Sequence, residues 1–168
     1  MNVYKTKDSA IIPKYATQGS ACFDIHAAFD KGDKIIAYNS VNRKIEVLVK
    51  EIEGQPAFLI HPGQRVMIPT GLIFDIPENH VMKMYIRSSA AAKKGLTLSN
   101  GVGIIDSDYV DETHILVHNI SDSLTRVIHG ERLAQCMVEK MDQTQLIMIN
   151  ERPKQKTDRD GGIGSTGS

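Results

Sequence analysis

The chain has 168 residues, 41% hydrophobic and 24% charged, a composition suited to one globular domain with a buried core. Lys plus Arg balance Asp plus Glu at 20 each, so no basic field draws in nucleic acid, and no apolar run approaches membrane-spanning length. Two cysteines, Cys22 and Cys136, make neither a disulfide framework nor a Cys-x-x-Cys metal pair.

At the start, Lys5, Lys7 and Asp8 interrupt any apolar stretch. No export signal is expected, and the setting reads as cytoplasmic, or nuclear in a eukaryote. Val3 to Ile12 reads as a first strand closed by Pro13, and Thr17 to Ser20 as a turn. Ala21 to Ala28 follows with Asp24 inside an otherwise apolar segment. A buried carboxylate needs a partner, and Arg87 is the candidate. Lys34 to Ile60 reads as additional strands forming a surface hairpin, with Asn39 to Asn42 as its turn. Its length leaves room for a partner-binding role.

His61-Pro-Gly-Gln64 is a further turn. From Val66 to Pro77 the punctuation by Pro69, Gly71 and Pro77 suits short strands and excludes a long helix. Val81 to Ile86 alternates as a strand and ends at Arg87-Ser88-Ser89. Ala90 to Gly95 is the one short helix, with Ser88 or Ser89 as N-cap and Gly95 as C-cap. A cation and hydroxyls at a helix start are ingredients of a phosphate site, and equally of a capped helix with a structural ion pair.

Asn100 to Glu112 carries the densest chemistry. It opens on Asn-Gly, a hairpin signal, and delivers Asp106, Ser107, Asp108 and Tyr109 at a turn. If extended, the segment puts Asp106 and Asp108 on one face and Ser107 on the other. Asp106, partly shielded by Val102, Ile104 and Ile105, is suited to hold a water and act as a general base. An acidic hairpin tip that satisfies turn backbone is the alternative. His114 to Val117 and Arg132 to Glu139 read as strands, the second with Gln135 among apolar residues where its amide must find hydrogen bonds. Leu146 to Ile149 reads as a last short strand. From Glu151 the composition turns polar and glycine-rich, fitting a flexible tail or one that wraps an anion through Arg159 and the glycine N–H groups. The six histidines show no metal-site spacing.

Five stretches in order, Ala21–Ala28, Arg87–Gly95, Asn100–Glu112, Gly130–Gln135 and Arg159–Gly167, resemble the five motifs of the homotrimeric dUTPases. The resemblance implies an all-β subunit, a distorted jelly-roll barrel with one short helix after Arg87-Ser88-Ser89 and a flexible Gly-rich arm. Residues 1–150 would be the catalytic domain, with 34–60 as an inserted hairpin, and 151–168 the arm closing over a site. It implies a homotrimer with shared interface sites that hydrolyses dUTP to dUMP and pyrophosphate with Mg²⁺, keeping uracil out of DNA and supplying dUMP for thymidylate. By position, Asp106 matches the carboxylate that activates the water attacking the α-phosphate. Asn100, Gly103 and Ile105 match the uracil-reading hairpin, and Tyr109 the ring under deoxyribose. Arg87, Ser88, Ser89, Gln135 and Arg159 match phosphate contacts. Gly162, Ile163, Gly164, Ser165 and Thr166 match the closing arm, and Asp24 the supporting acid. Mg²⁺ is expected on substrate phosphates and water, with no direct protein ligand.

Four positions depart from the family pattern. Cys22, Ser89 and Asp111 stand where glycine is usual, and Ile163 replaces the arm's aromatic residue. Isoleucine covers a base without stacking on it; Phe23, Tyr38 and Phe58 are candidate rings from elsewhere in the chain. The sister dCTP deaminases share an Arg-Ser-Ser motif, but their catalytic Glu, three residues before an Asn, is replaced here by Leu116 before Asn119. A nucleotide-sensing jelly roll without catalysis is the other reading, and the intact Asp106 argues against it.

Overall fold

The computed structural model describes residues 1–158. Its strands, in chain order, are β1 (Asn2–Lys5), β2 (Phe23–His26), β3 (Lys34–Tyr38), β4 (Lys44–Leu48), β5 (Lys50–Ile52), β6 (Gln55–Ile60) and β7 (Arg65–Pro69). They continue as β8 (Leu72–Asp75), β9 (His80–Ile86), β10 (Leu96–Leu98), β11 (Gly103–Ile105), β12 (His114–Asn119), β13 (Thr125–Ile128) and β14 (Arg132–Lys140). Helix α1 spans Ser88–Lys94. Every pairing is antiparallel. The two larger sheets have the orders β10-β12-β7-β3-β4 and β11-β9-β14-β2, beside smaller β1-β8 and β13-β6-β5 pairings.

Strict alternation builds the core. In β12, Ile115 and Val117 are buried while His114, Leu116 and His118 stay partly open. Those two residues join Ile35, Ile68, Ile25 and Met82 from both large sheets in one apolar cluster. Among the described residues the architecture is mostly β with one short helix, as expected. Among the described residues no helix is long and apolar enough to cross a membrane.

Four local expectations are corrected. The first strand stops at Lys5, because its partner β8 begins at Leu72; Thr6 N–H makes the last bond, to Gly71 O at 2.9 Å, and the chain turns. Residues 34–60 are not a purely surface hairpin. Strand β3 is hydrogen-bonded to both β4 and β7, and Ile35, Ala37, Phe58 and Ile60 are core. Leu146 to Ile149 forms no strand, pairing with none of the sheets, and its side chains are 61–94% exposed. The N-cap position of α1 is Arg87, extended at ψ 144 and without a side-chain cap, so Ser88 and Ser89 are the first helical residues. Gly95 does close the helix, in the left-handed region at φ 61.

Candidate active site

The Asn100-Gly101 signal produces a corner between sheets and not a simple hairpin. Strand β10 before it pairs with β12, whereas β11 after it pairs with β9. Only Gly101 takes positive φ there. Because β11 and β12 belong to different sheets, they diverge and leave a cleft of about 230 Å³. Asn100, Gly103, Ile105, Asp106 and Tyr109 line it, with Met84, Thr113, His114 and Leu116. That volume is below the about 300–1,000 Å³ of pockets that enclose a whole ligand, so the cleft suits one end of a larger substrate.

The turn that carries Asp106 is held by its neighbours. Tyr109 N–H reaches Asp106 O at 3.2 Å, and the Tyr109 hydroxyl donates to Glu112 O at 3.0 Å. Glu112 Oε1 accepts from Gly71 N–H at 2.8 Å, tying the loop to the barrel. His114 Nδ1 lies 2.9 Å from Glu112 O, and since a carbonyl only accepts, that nitrogen is the donor. Burial, then the carboxylates of Asp111 and Glu112, push the Tyr109 phenol up and keep it a donor. Asp106 sits just outside β11, exposed, and its side chain makes no hydrogen bond or ion pair to any described residue. The chain turns there instead of staying extended, so the expected shielding by Val102 and Ile104, themselves 37% and 56% exposed, is missing within one chain.

A second patch lies at the far end of β9. Asp24 on β2 stands opposite Gln135 on β14, and Gln135 stands opposite Tyr85. The expected ion pair is present, Arg87 Nε to Asp24 Oδ1 at 2.8 Å. Arg132 takes the other carboxylate oxygen at 3.1 Å, and Arg87 Nη1 donates to Arg132 O at 3.4 Å. Ser88 and Ser89 are exposed beside them. His26, on the same face as Asp24, has a buried Nδ1 without a partner. Burial lowers its pKa, opposed by Asp24 and reinforced by Arg132 and Arg87.

The expected site residues therefore fall into two groups. Ile105, next to Asp106, pairs with Met82, five residues before Arg87, a separation of about 17 Å along a strand. Asn100, Gly103, Ile105, Asp106 and Tyr109 share the cleft; Asp24, Arg87, Ser88, Ser89 and Gln135 do not line it. Arg159, Gly162, Ile163, Gly164, Ser165 and Thr166 lie outside the described residues. Of the rings considered as substitutes for an aromatic at position 163, Phe23 and Phe58 are core residues at 5% and 2% exposure, and only Tyr38 is partly open. Thr113, His114 and Arg132 went unnoticed in the sequence. For the first two, their place straight after the acidic turn was a usable signal; for Arg132 it was its place in the Gly130–Gln135 stretch, although its orientation depends on a bulge.

Comparison with known proteins agrees with this geometry. A model of the dUTPase family matches residues 51–167. A deoxyuridine 5'-triphosphate nucleotidohydrolase of Rhizobium leguminosarum bv. trifolii is 34% identical over 157 residues, covering 93% of this chain and 85% of the relative. One of Brucella melitensis biotype 2 is 35% identical over 159 residues, covering 94% and 85%. Among solved structures, the dUTPase of Staphylococcus bacteriophage 80alpha with dUPNHPP superposes at a TM-score of 0.74 and 20% identity, covering 99% of this chain and 98% of that one, a likeness of fold. On the match of its sequence to the family over most of its length, this chain belongs to the dUTPase family.

Proposed function

We propose that this chain hydrolyses dUTP to dUMP and pyrophosphate at sites completed between copies of itself. The observation that carries this reading is the division of the site. Asp106, at one end of the nucleoside-sized cleft, and Arg87 in the cationic patch are about 17 Å apart along the strand in one chain, too far to grip one α-phosphate together. A neighbouring copy that sets its Arg87 patch against the Asp106 cleft resolves this, as a closed homotrimer does three times over. The exposed apolar run Leu146–Ile149 supports the same reading, being surface that a neighbour would cover.

In such a site the cleft between β11 and β12 receives uracil and deoxyribose. Asn100 and the backbone of Gly103 to Ile105 face the base, and Tyr109 lies under the sugar. Arg87, Ser88, Ser89 and Gln135 bind phosphate oxygens, and Asp24 holds the Arg87 guanidinium in orientation from 2.8 Å. Asp106 accepts the proton of the water that attacks the α-phosphorus, a contribution of about 10²–10⁴-fold for a positioned base. Residues 1–150 act as the catalytic body. Residues 151–168 act as an arm bringing Arg159 and the stretch Gly162, Ile163, Gly164, Ser165 and Thr166 over the triphosphate.

The donor set fits Mg²⁺ carried by the substrate. Both oxygens of Asp24 are taken by guanidinium groups, and among the described residues no three His, Cys, Asp or Glu side chains gather for a cation. Mg²⁺ prefers phosphate oxygens and water to such a surface, and when bound it neutralises triphosphate charge. The free thiols Cys22 and Cys136 suit a reducing, cytoplasmic setting.

Subunit mixing tests the shared site. Asp106→Asn and Arg87→Ala chains are each expected to be nearly inactive, yet unfolded and refolded together they should recover about a quarter of wild-type activity through hybrid sites. No recovery, from mixtures shown to exchange subunits, would place the whole site in one chain and overturn the reading.

A further inference from the structure

The run from Lys44 to Ile52 changes neighbours halfway along. Its second half, β5, pairs with β6, Lys50 opposite Ala57 and Ile52 opposite Gln55, in a hairpin whose turn residues Glu53 and Gly54 both take positive φ. Continued backwards, that ladder would set Leu48 opposite Leu59 and Glu46 opposite His61. Instead Val49 N–H donates to Asp33 O at 2.8 Å, and Val49 O accepts from Gly32 N–H at 3.0 Å. From Val49 back the chain follows β3, with Leu48 opposite Lys34. Strands β4 and β6 therefore part beyond the pair of Lys50 and Ala57 and leave an open cleft of about 390 Å³. Ile45, Val47 and Leu48 line one wall, and Phe58, Leu59 and His61 the other.

Both walls carry strand edge that no described strand fills. Strand β4 ends its sheet, and beyond Ala57 β6 pairs with β13 alone. Such an edge offers N–H and C=O groups to another strand. The apolar side chains beside it are incompletely covered. Ile45 and Val47 pack against the core yet are only half-buried, and Leu48 and Leu59 at the lips are 48% and 37% exposed. The charge is one-sided. Glu46, Glu51 and Glu53 each have a cation, in Lys34, Lys31 and Arg126, whereas among the described residues Arg43, Lys44 and Lys50 form no ion pair. A second copy laid along this edge would bring the same three cations, and like charges across a strand pair repel. An extended segment with apolar residues on one face and carboxylates on the other meets all three features at once.

We propose that the cleft between β4 and β6 is a docking site for an acidic, extended segment of a partner protein, added as a strand to the β4 edge. Its apolar face packs on Ile45, Val47 and Leu59, and its carboxylates meet Lys44 and Lys50. The five residues of β4 set the length of the contact, about 17 Å. None of these residues lines the Asp106 cleft, so docking is separable from hydrolysis.

The probe is an acetylated and amidated peptide, Glu-Val-Glu-Val-Glu-Val-Glu, titrated into the full chain at low salt and followed by fluorescence anisotropy. It is expected to bind at least about tenfold more tightly than the Lys-Val and Glu-Gly peptides of the same length, which lack its charge and its apolar face. The double variant Lys44→Glu, Lys50→Glu is expected to weaken it roughly tenfold and to leave dUTP turnover unchanged; both lysines are exposed, so the fold is not at stake. Amide exchange is expected to slow within Lys44–Leu48 and Phe58–Ile60 when the peptide binds. No binding at about 1 mM peptide overturns the proposal. So does equal affinity for the Glu-Gly peptide, for the double variant, or for a single-stranded oligonucleotide of the same charge, each of which would make the edge a surface without strand recognition. Slowed exchange confined to other strands overturns it as well.

Discussion

Asp106→Asn isolates the chemistry from the fold, because the structure separates the two. The side chain is exposed and makes no hydrogen bond or ion pair to any described residue, while the turn around it is held by Tyr109, Glu112 and His114. An isosteric amide there should change folding stability by no more than about 0.5 kcal/mol. For a chain of this length that is about 1–2 °C in Tm. Loss of a general base removes about 10²–10⁴ in kcat, which is about 2.7–5.5 kcal/mol of transition-state stabilisation at about 1.36 kcal/mol per decade. The catalytic effect exceeds the stability effect by at least about fivefold in energy, so unfolding cannot imitate it. The assay is pyrophosphate release from dUTP, dCTP, dTTP and UTP with Mg²⁺, beside a thermal melt and the affinity of a non-hydrolysable α,β-imido analogue of dUTP. The expectation is cleavage of dUTP alone by wild type, kcat down at least a hundredfold in the variant, and analogue affinity retained. A variant within threefold of wild type at unchanged Tm would make Asp106 a turn residue only; a fall in kcat that tracks a Tm drop of many degrees would make its role structural.

Other expectations follow from local geometry. At Gly95, φ is 61 and an added Cβ would stand 2.5 Å from Ser121 Cβ, so Gly95→Ala combines backbone strain with a clash. A loss of about 2–4 kcal/mol is expected in urea unfolding, and one under about 0.5 kcal/mol would show that the corner relaxes freely. At Gly103 a Cβ would meet Met84 Cβ at 3.0 Å, shifting β11 at the cleft wall by a few tenths of an ångström. Gly103→Ala should therefore weaken the imido analogue about tenfold with little change in Tm, and wild-type affinity would remove Gly103 from the base site. Burial holds the His26 pKa below the ordinary 6.5, against Asp24 and with Arg132 and Arg87. The folded state then binds fewer protons, so its stability is whole above 6.5 and declines as pH falls through that value towards the lower folded one. His26→Gln should flatten this acid-side decline in urea midpoints, and parallel curves for the two proteins would refute the assignment.

Much that depends on near neighbours in the chain was determined by the sequence alone. His61 to Gln64 is a turn, closed by Gln64 N–H to His61 O at 3.1 Å. Helix α1 ends at Gly95 because few other residues enter the left-handed region cheaply. Asp24 was legible as an acid in need of a partner, an Arg or backbone N–H groups, because an unpaired carboxylate inside an apolar strand is costly, and Arg87 is the partner found. Alternation identified which strand faces are buried. It is silent on which edge a strand joins, since hydrogen-bond partners come from remote sequence. Only the tertiary structure could decide that β1 ends with its partner β8, that Leu146 to Ile149 stays unpaired and exposed, and that Asn100-Gly101 turns between sheets. The bulge at Leu133 is equally invisible beforehand, because one extra residue leaves the apolar pattern intact while reversing the face of Arg132. The same nonlocal cause divides the motifs. Their order in the chain was readable, but the distance between Asp106 and Arg87 is set by the register of β11 on β9, and that register keeps them apart within one chain.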